Sequence, residues 1–166
     1  MNQELVVTKY FTARVLGDPE KQKRQMTFIE ALQTLDNFDI SFGKYQLNPR
    51  RCCHCGFEDT VPNEKMTDVQ IATELLSDAF ADRFDVALLI SADSDLVPPV
   101  KAIRKLFPEK QIVVGFPPAR FSTELTTVAT AFFTIGRANL KHSLFPDKVK
   151  KKDGFVLECP ARWKSR

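Results

Sequence analysis

Five apolar residues, Val86 to Ile90, run straight into Ser91, Ala92, Asp93, Ser94 and Asp95. A short continuous apolar run predicts a strand buried on both faces, as in parallel sheets. Open α/β sheets bind their ligands at the carboxyl ends of the strands, which is where Asp93 and Asp95 would stand. Carboxylates gathered at one place repel each other unless they share a proton or a cation. Their hard oxygens suit Mg²⁺ or Mn²⁺. The pattern therefore points to metal-dependent phosphate chemistry.

A third carboxylate fits the same site. Thr67 and Gln70 have capping-box spacing, which makes Thr67 the expected N-cap and Asp68 the first helical residue. Counting from Asp68, Ile71, Ala72, Leu75 and Leu76 fall on one helical face. Asp68 thus heads the stripe that packs on the sheet. The competing reading is a first-turn aspartate that only answers the helix dipole. The expectation is that Asp68, Asp93 and Asp95 converge on one divalent ion as metal ligands and catalytic acids.

These residues need elements to hold them. Leu5 to Val15 reads as a strand, and Lys21 to Leu35 as a helix with Met26, Ile29, Leu32 and Leu35 on its apolar face. Phe38 to Phe42 alternates as a strand does. Residues 44–63 read as a loop insertion, punctuated by Asn48-Pro49 and Val61-Pro62. A helix from Asp68 to Phe80, a strand over 85–91 and a helix from Leu96 to Phe107 follow. Pro98 and Pro99 fall in the first turn of that helix, where proline is tolerated. A strand over 111–115 and a helix from Ser122 to Phe133 complete the pattern. Alternating strands and helices predict an α/β, three-layer, mainly parallel fold.

Composition limits the class. At 166 residues, 43% hydrophobic and 27% charged, the chain is one ordinary globular domain. No apolar run approaches the roughly 20 residues that span a bilayer, so no membrane partner is expected. Met1 to Leu5 has no signal-peptide pattern, so a cytoplasmic protein with reduced cysteines is expected. Charge is unevenly placed: residues 137–166 carry nine basic and three acidic side chains, the remainder fifteen basic and eighteen acidic. A basic tail beside an acidic site suits a polyanion that must approach carboxylates, although a solvated, frayed terminus would have the same composition. Cys52 and Cys55 have zinc-knuckle spacing. A structural zinc needs four ligands and no second Cys-x-x-Cys exists, so zinc is the weaker reading there unless Cys53, His54 or a second chain supplies the rest.

The blocks Glu64-Lys65-Met66-Thr67-Asp68-Val69, Asp85-Val86-Ala87 and Ser91-Ala92-Asp93-Ser94-Asp95-Leu96 resemble the NYN family of PIN-like nucleases, in its LabA-like bacterial branch. Ser143 to Asp147 and Pro160 to Trp163 are similar as well, so the resemblance covers nearly the whole chain. It implies a Rossmann-like PIN-type fold over residues 1–140, with 141–166 as a basic tail. It also implies a metal-dependent ribonuclease acting on single-stranded RNA. Asp68 and Asp93 would be metal-binding acids and Asp95 a further acid, with Ser91 and Ser94 orienting them or a phosphate. Lys65 and Arg120 are candidate phosphate contacts. The family's opening strand, which ends in an acidic residue, has no counterpart here, because Tyr10 to Arg14 resembles the second strand. A missing central strand and one missing acid are therefore expected. That leaves a second reading, an RNA-binding or interaction module of impaired activity. A third is a phosphatase of haloacid-dehalogenase type with Asp93-Ser94-Asp95 as its Asp-x-Asp. The oligomeric state is not encoded in any pattern seen.

Overall fold

In the computed structural model, which describes residues 3–164 (side chains at 61 and 62 excepted), the chain forms two units. One is Met1–Thr67 with Phe145–Arg166, the other Asp68–Leu144. The elements run β1 (Thr8–Ala13), α1 (Pro19–Leu32), β2 (Phe38–Arg51), β3 (Glu58–Lys65), α2 (Thr67–Phe80) and β4 (Val86–Ile90). They continue as α3 (Val97–Leu106), β5 (Gln111–Phe116), α4 (Thr123–Val128), β6 (Ala131–Thr134), α5 (Arg137–His142), β7 (Lys148–Lys150) and β8 (Val156–Glu158).

In the first unit β1 pairs in parallel with β2, and β2 in antiparallel with β3, from Lys44↔Lys65 to Arg51↔Glu58. Residues 44–63 are therefore not a loop. They are most of a long β-hairpin, and the expectation of a loop insertion is corrected. Pro49 faces Thr60 and Pro62 faces Leu47 in a ribbon that, among the described residues, no further strand borders, and such edges tolerate proline. Helix α1 starts where Asp18 accepts the Lys21 N–H at 3.0 Å and Pro19 fixes the first turn. It buries Ile29, Ala31 and Leu32 and ends there rather than at Leu35; Met26 is exposed, and so is Leu35 beyond the helix, so those two do not belong to its apolar face. The described part of the basic tail is not frayed. β7 and β8 form a hairpin, Phe145 and Trp163 each meet the Phe28 ring at 6.3 Å, and Lys151 reaches Glu30 at 3.1 Å.

In the second unit β4, β5 and β6 are parallel in that order, with β5 central. Leu89 of β4 and Ile112, Val114 and Phe116 of β5 share one face. They pack with Ala79 of α2, Val100 and Ile103 of α3, and Leu125 and Val128 of α4. Burying several such side chains, at roughly 1.5–3 kcal/mol each, is the main stabilisation of this unit. The opposite face is bare: Val86, Leu88 and Ile90 are 40%, 55% and 59% exposed. The apolar run is thus buried on one face only, the Leu89 face on which α2, α3 and α4 pack.

The expected helix over Ser122–Phe133 is also corrected. It stops at Val128, and Ala131–Thr134 pairs with β5 instead. The overall class is α/β and consistent with a PIN-like fold. Among the described residues there is no single five-stranded sheet. Two separate three-stranded sheets leave β1 and β4 each at an edge.

Candidate active site

Parallel strands put their carboxyl ends side by side, and the loops after β4 and β5 meet there. Ile90, Ser91, Ala92 and Asp93 leave β4, while Pro117, Ala119, Arg120 and Phe121 follow β5. With Asp68 from the first turn of α2 they line an open pocket of about 510 Å³. Pro117-Pro118 ends β5, and the Arg120 N–H closes a turn onto the Pro117 carbonyl at 3.1 Å. Ala119 takes φ +61 within that turn, a left-handed conformation unusual for a residue with a Cβ.

Asp93 is held by its own backbone. Its N–H donates to Ser91 Oγ at 3.1 Å, and its Oδ1 accepts the Asp95 N–H at 2.9 Å. It thereby caps the 3-10 turn Ser94–Leu96 that leads into α3. At the other wall, Met66 takes φ +78 and turns the chain from β3 into α2, so that Asp68 stands in the first turn. The Thr67 hydroxyl donates to the Glu64 carboxylate at 2.5 Å, and Thr67 is itself the first helical residue, one position earlier than expected.

Of the sequence-predicted residues, Asp68, Asp93, Ser91 and Arg120 come together here. Asp95 does not line the pocket: it is exposed on the 3-10 turn, and its backbone N–H is what supports Asp93. Ser94 is exposed on the same turn, and Lys65 is exposed at the end of β3 in the other unit. Among the described residues no three His, Cys, Asp or Glu side chains are grouped to hold a metal ion. The expected three-carboxylate cluster is therefore not formed. The two carboxylates still fit Mg²⁺ or Mn²⁺. Such an ion keeps several waters and needs only one or two carboxylates, with substrate phosphate completing the shell. Sequence reasoning missed Phe121, which is 58% exposed and packs at a tilt against the buried Phe116, ring centroids 4.6 Å apart. The Pro117-Pro118 stop after an apolar strand was the available signal for that wall.

The structure thus defines the class: an α/β domain with an acidic pocket at the carboxyl edge of parallel strands. The NYN domain profile matches residues 2–136, and the chain belongs to the NYN domain family. NYN domains are nuclease-like, and NYN nucleases act on RNA and generally use divalent metals. The fold is also similar to the crystal structure of a protein of unknown function from Vibrio parahaemolyticus. The two share 23% identity at a TM-score of 0.56, over 81% of this chain and 71% of that one. No curated protein is matched. Among the described residues no helix is long and apolar enough to cross a membrane.

Proposed function

We infer that this domain hydrolyses phosphodiester bonds of single-stranded, cytoplasmic RNA with Mg²⁺ or Mn²⁺ as cofactor. The observation that carries this reading is the meeting of Asp68, Asp93 and Arg120 in one open pocket beside the exposed ring of Phe121. Asp68 and Asp93 would hold the ion, which when bound supplies Lewis-acid polarisation of a phosphoryl oxygen and activation of water. Arg120 offers a planar, doubly donating partner to a phosphate. Phe121 offers a face for a base, which suits a single strand whose bases are free to stack. Ser91 holds the Asp93 backbone in place.

One observation favours a second reading, RNA binding with impaired cleavage: two carboxylates line the pocket, where three were expected. The phosphatase reading has no such support, since Asp93 follows the fourth strand of the chain rather than the first. Cleavage of a labelled single-stranded RNA with Mn²⁺, with EDTA and with Asp68→Asn separates these readings. Metal-dependent cleavage lost in Asp68→Asn is expected. Retention of RNA without cleavage, weakened by Phe121→Ala in a gel-shift titration by the roughly 1–3 kcal/mol of one stacked base, would support the binding module instead.

A further inference from the structure

The hairpin of β2 and β3 ends in Cys52-Cys53-His54-Cys55-Gly56-Phe57. The Cys52 N–H donates to the Phe57 carbonyl at 2.8 Å, and the Gly56 N–H to the Cys52 carbonyl at 2.9 Å. Gly56 takes φ +71, a conformation that a Cβ would strain. The chain thus forms a tight knuckle that carries both Cys52 and Cys55 at the tip of the hairpin. All four cysteines of the chain are free, and Cys53 and Cys55 are exposed.

We propose that this tip is half of a tetrahedral zinc site, completed by Cys52 and Cys55 of a second copy of the chain. Zinc in structural sites takes four ligands, most often thiolates or imidazoles. One chain brings two: among the described residues no third His, Cys, Asp or Glu side chain converges on them. Cys159 is engaged elsewhere, against the Pro160 carbonyl. A twofold axis through the ion supplies the missing pair from an identical surface, the commonest form of closed oligomer.

The flanks of the tip suit that approach. Arg51 and Glu58, 3.9 Å apart, and Arg50 and Asp59, 3.8 Å apart, put both signs of charge at the neck of the hairpin. Each arginine of one copy therefore has an acid to meet on the other. Phe57, 67% exposed next to the knuckle, gains cover in the same contact. Of the completions the sequence leaves open, this one uses the same pair of cysteines twice. The proposal is independent of the acidic pocket.

The test uses the full chain, purified without a polyhistidine tag under reducing conditions. Zinc is measured by atomic emission and mass by light scattering. One zinc per two chains and a dimer are expected, with conversion to monomer when a strong zinc chelator is added. Cys52→Ser and Cys55→Ser should each lose zinc and dimer while keeping the parent's circular dichroism, because the tip lies beyond the last paired residues. Cys53→Ser should keep both. Cobalt substitution should show thiolate-to-metal absorption scaling with four thiolates per ion. A zinc-free chain, or one zinc on a monomer, overturns the shared site. Loss of zinc in Cys53→Ser overturns the assigned ligands.

Discussion

Replacing Asp93 by asparagine and by alanine separates two roles of one carboxylate. Asp93 lines the acidic pocket, and its Oδ1 accepts the Asp95 N–H at 2.9 Å to cap the turn that feeds α3. Alanine removes both the charge and the cap. Loss of an aspartate cap costs about 1 kcal/mol, and a domain of this size loses about 2–4 °C of Tm per kcal/mol. Asparagine keeps an acceptor oxygen in the same volume, and aspartate and asparagine are close to equal as caps, so its Tm should stay within about 1 °C of the parent. Both variants lose the carboxylate charge that the proposed ion would need. Disturbing even the outer partners of a metal site costs about 10–100-fold, so losing one of two inner carboxylates should reduce cleavage by about 100-fold or more. Thermal melts and Mn²⁺-dependent cleavage of a fluorescent single-stranded RNA read the two effects independently. If Asp93→Asn cleaves as fast as its parent, the nuclease reading fails. If Asp93→Ala melts with the parent, the capping account fails.

Three further substitutions test the scaffold. Lys110 is buried and donates to Asp82 Oδ1 at 2.5 Å and to the Phe84 carbonyl at 2.8 Å, and its hydrogen bond and charge hold the Asp82 carboxyl below its ordinary 3.8. A depressed carboxylate contributes stability that is present above pH 3.8 and fades as pH falls through its lower folded value. Asp82→Asn should therefore lower Tm at pH 7, with the gap to the parent narrowing in melts below pH 3.8. Gly43→Ala would place a Cβ 2.6 Å from Thr67 Oγ1 and 2.7 Å from the Lys65 carbonyl, and overpacking of this kind costs about 1–3 kcal/mol, read by urea unfolding. Leu88→Thr replaces a side chain that is 55% exposed on β4; an unchanged Tm and less aggregation on concentration are expected, whereas a loss of several degrees would show that face to be covered.

The parts of the fold legible in the sequence were those whose pattern is local. The stripe Ile71, Ala72, Leu75, Leu76 and the run ending at Ile90 gave α2 and β4 to within a residue or so. The end of α4 was hidden because its cause is remote. Arg104 donates to the Val128 carbonyl at 2.8 Å, and the Thr130 side chain accepts the Ile112 N–H at 3.0 Å, so the chain turns there into β6. Nothing within Ser122–Phe133 announces a partner about twenty residues away. The β7–β8 hairpin does carry a local signal: Asp153-Gly154, with Gly154 at φ +90 and Asp153 accepting the Phe155 N–H at 2.9 Å.

The candidate site follows the same logic one level down. Asp93 and Asp95, two residues apart, would share a face if the strand continued, because strand side chains alternate. Strand pairing ends at Ile90, and Ser94–Leu96 winds into a 3-10 turn that drives Leu96 to full burial. The alternation rule lapses between the two aspartates, and Asp95 swings out of the pocket. Asp68 escapes this failure because its place is set by a helical stripe that persists for three turns. What positions a pair of carboxylates here is therefore the packing of Leu96 on one side and of the α2 stripe on the other. Apolar residues with no chemistry of their own decide which acids line the pocket.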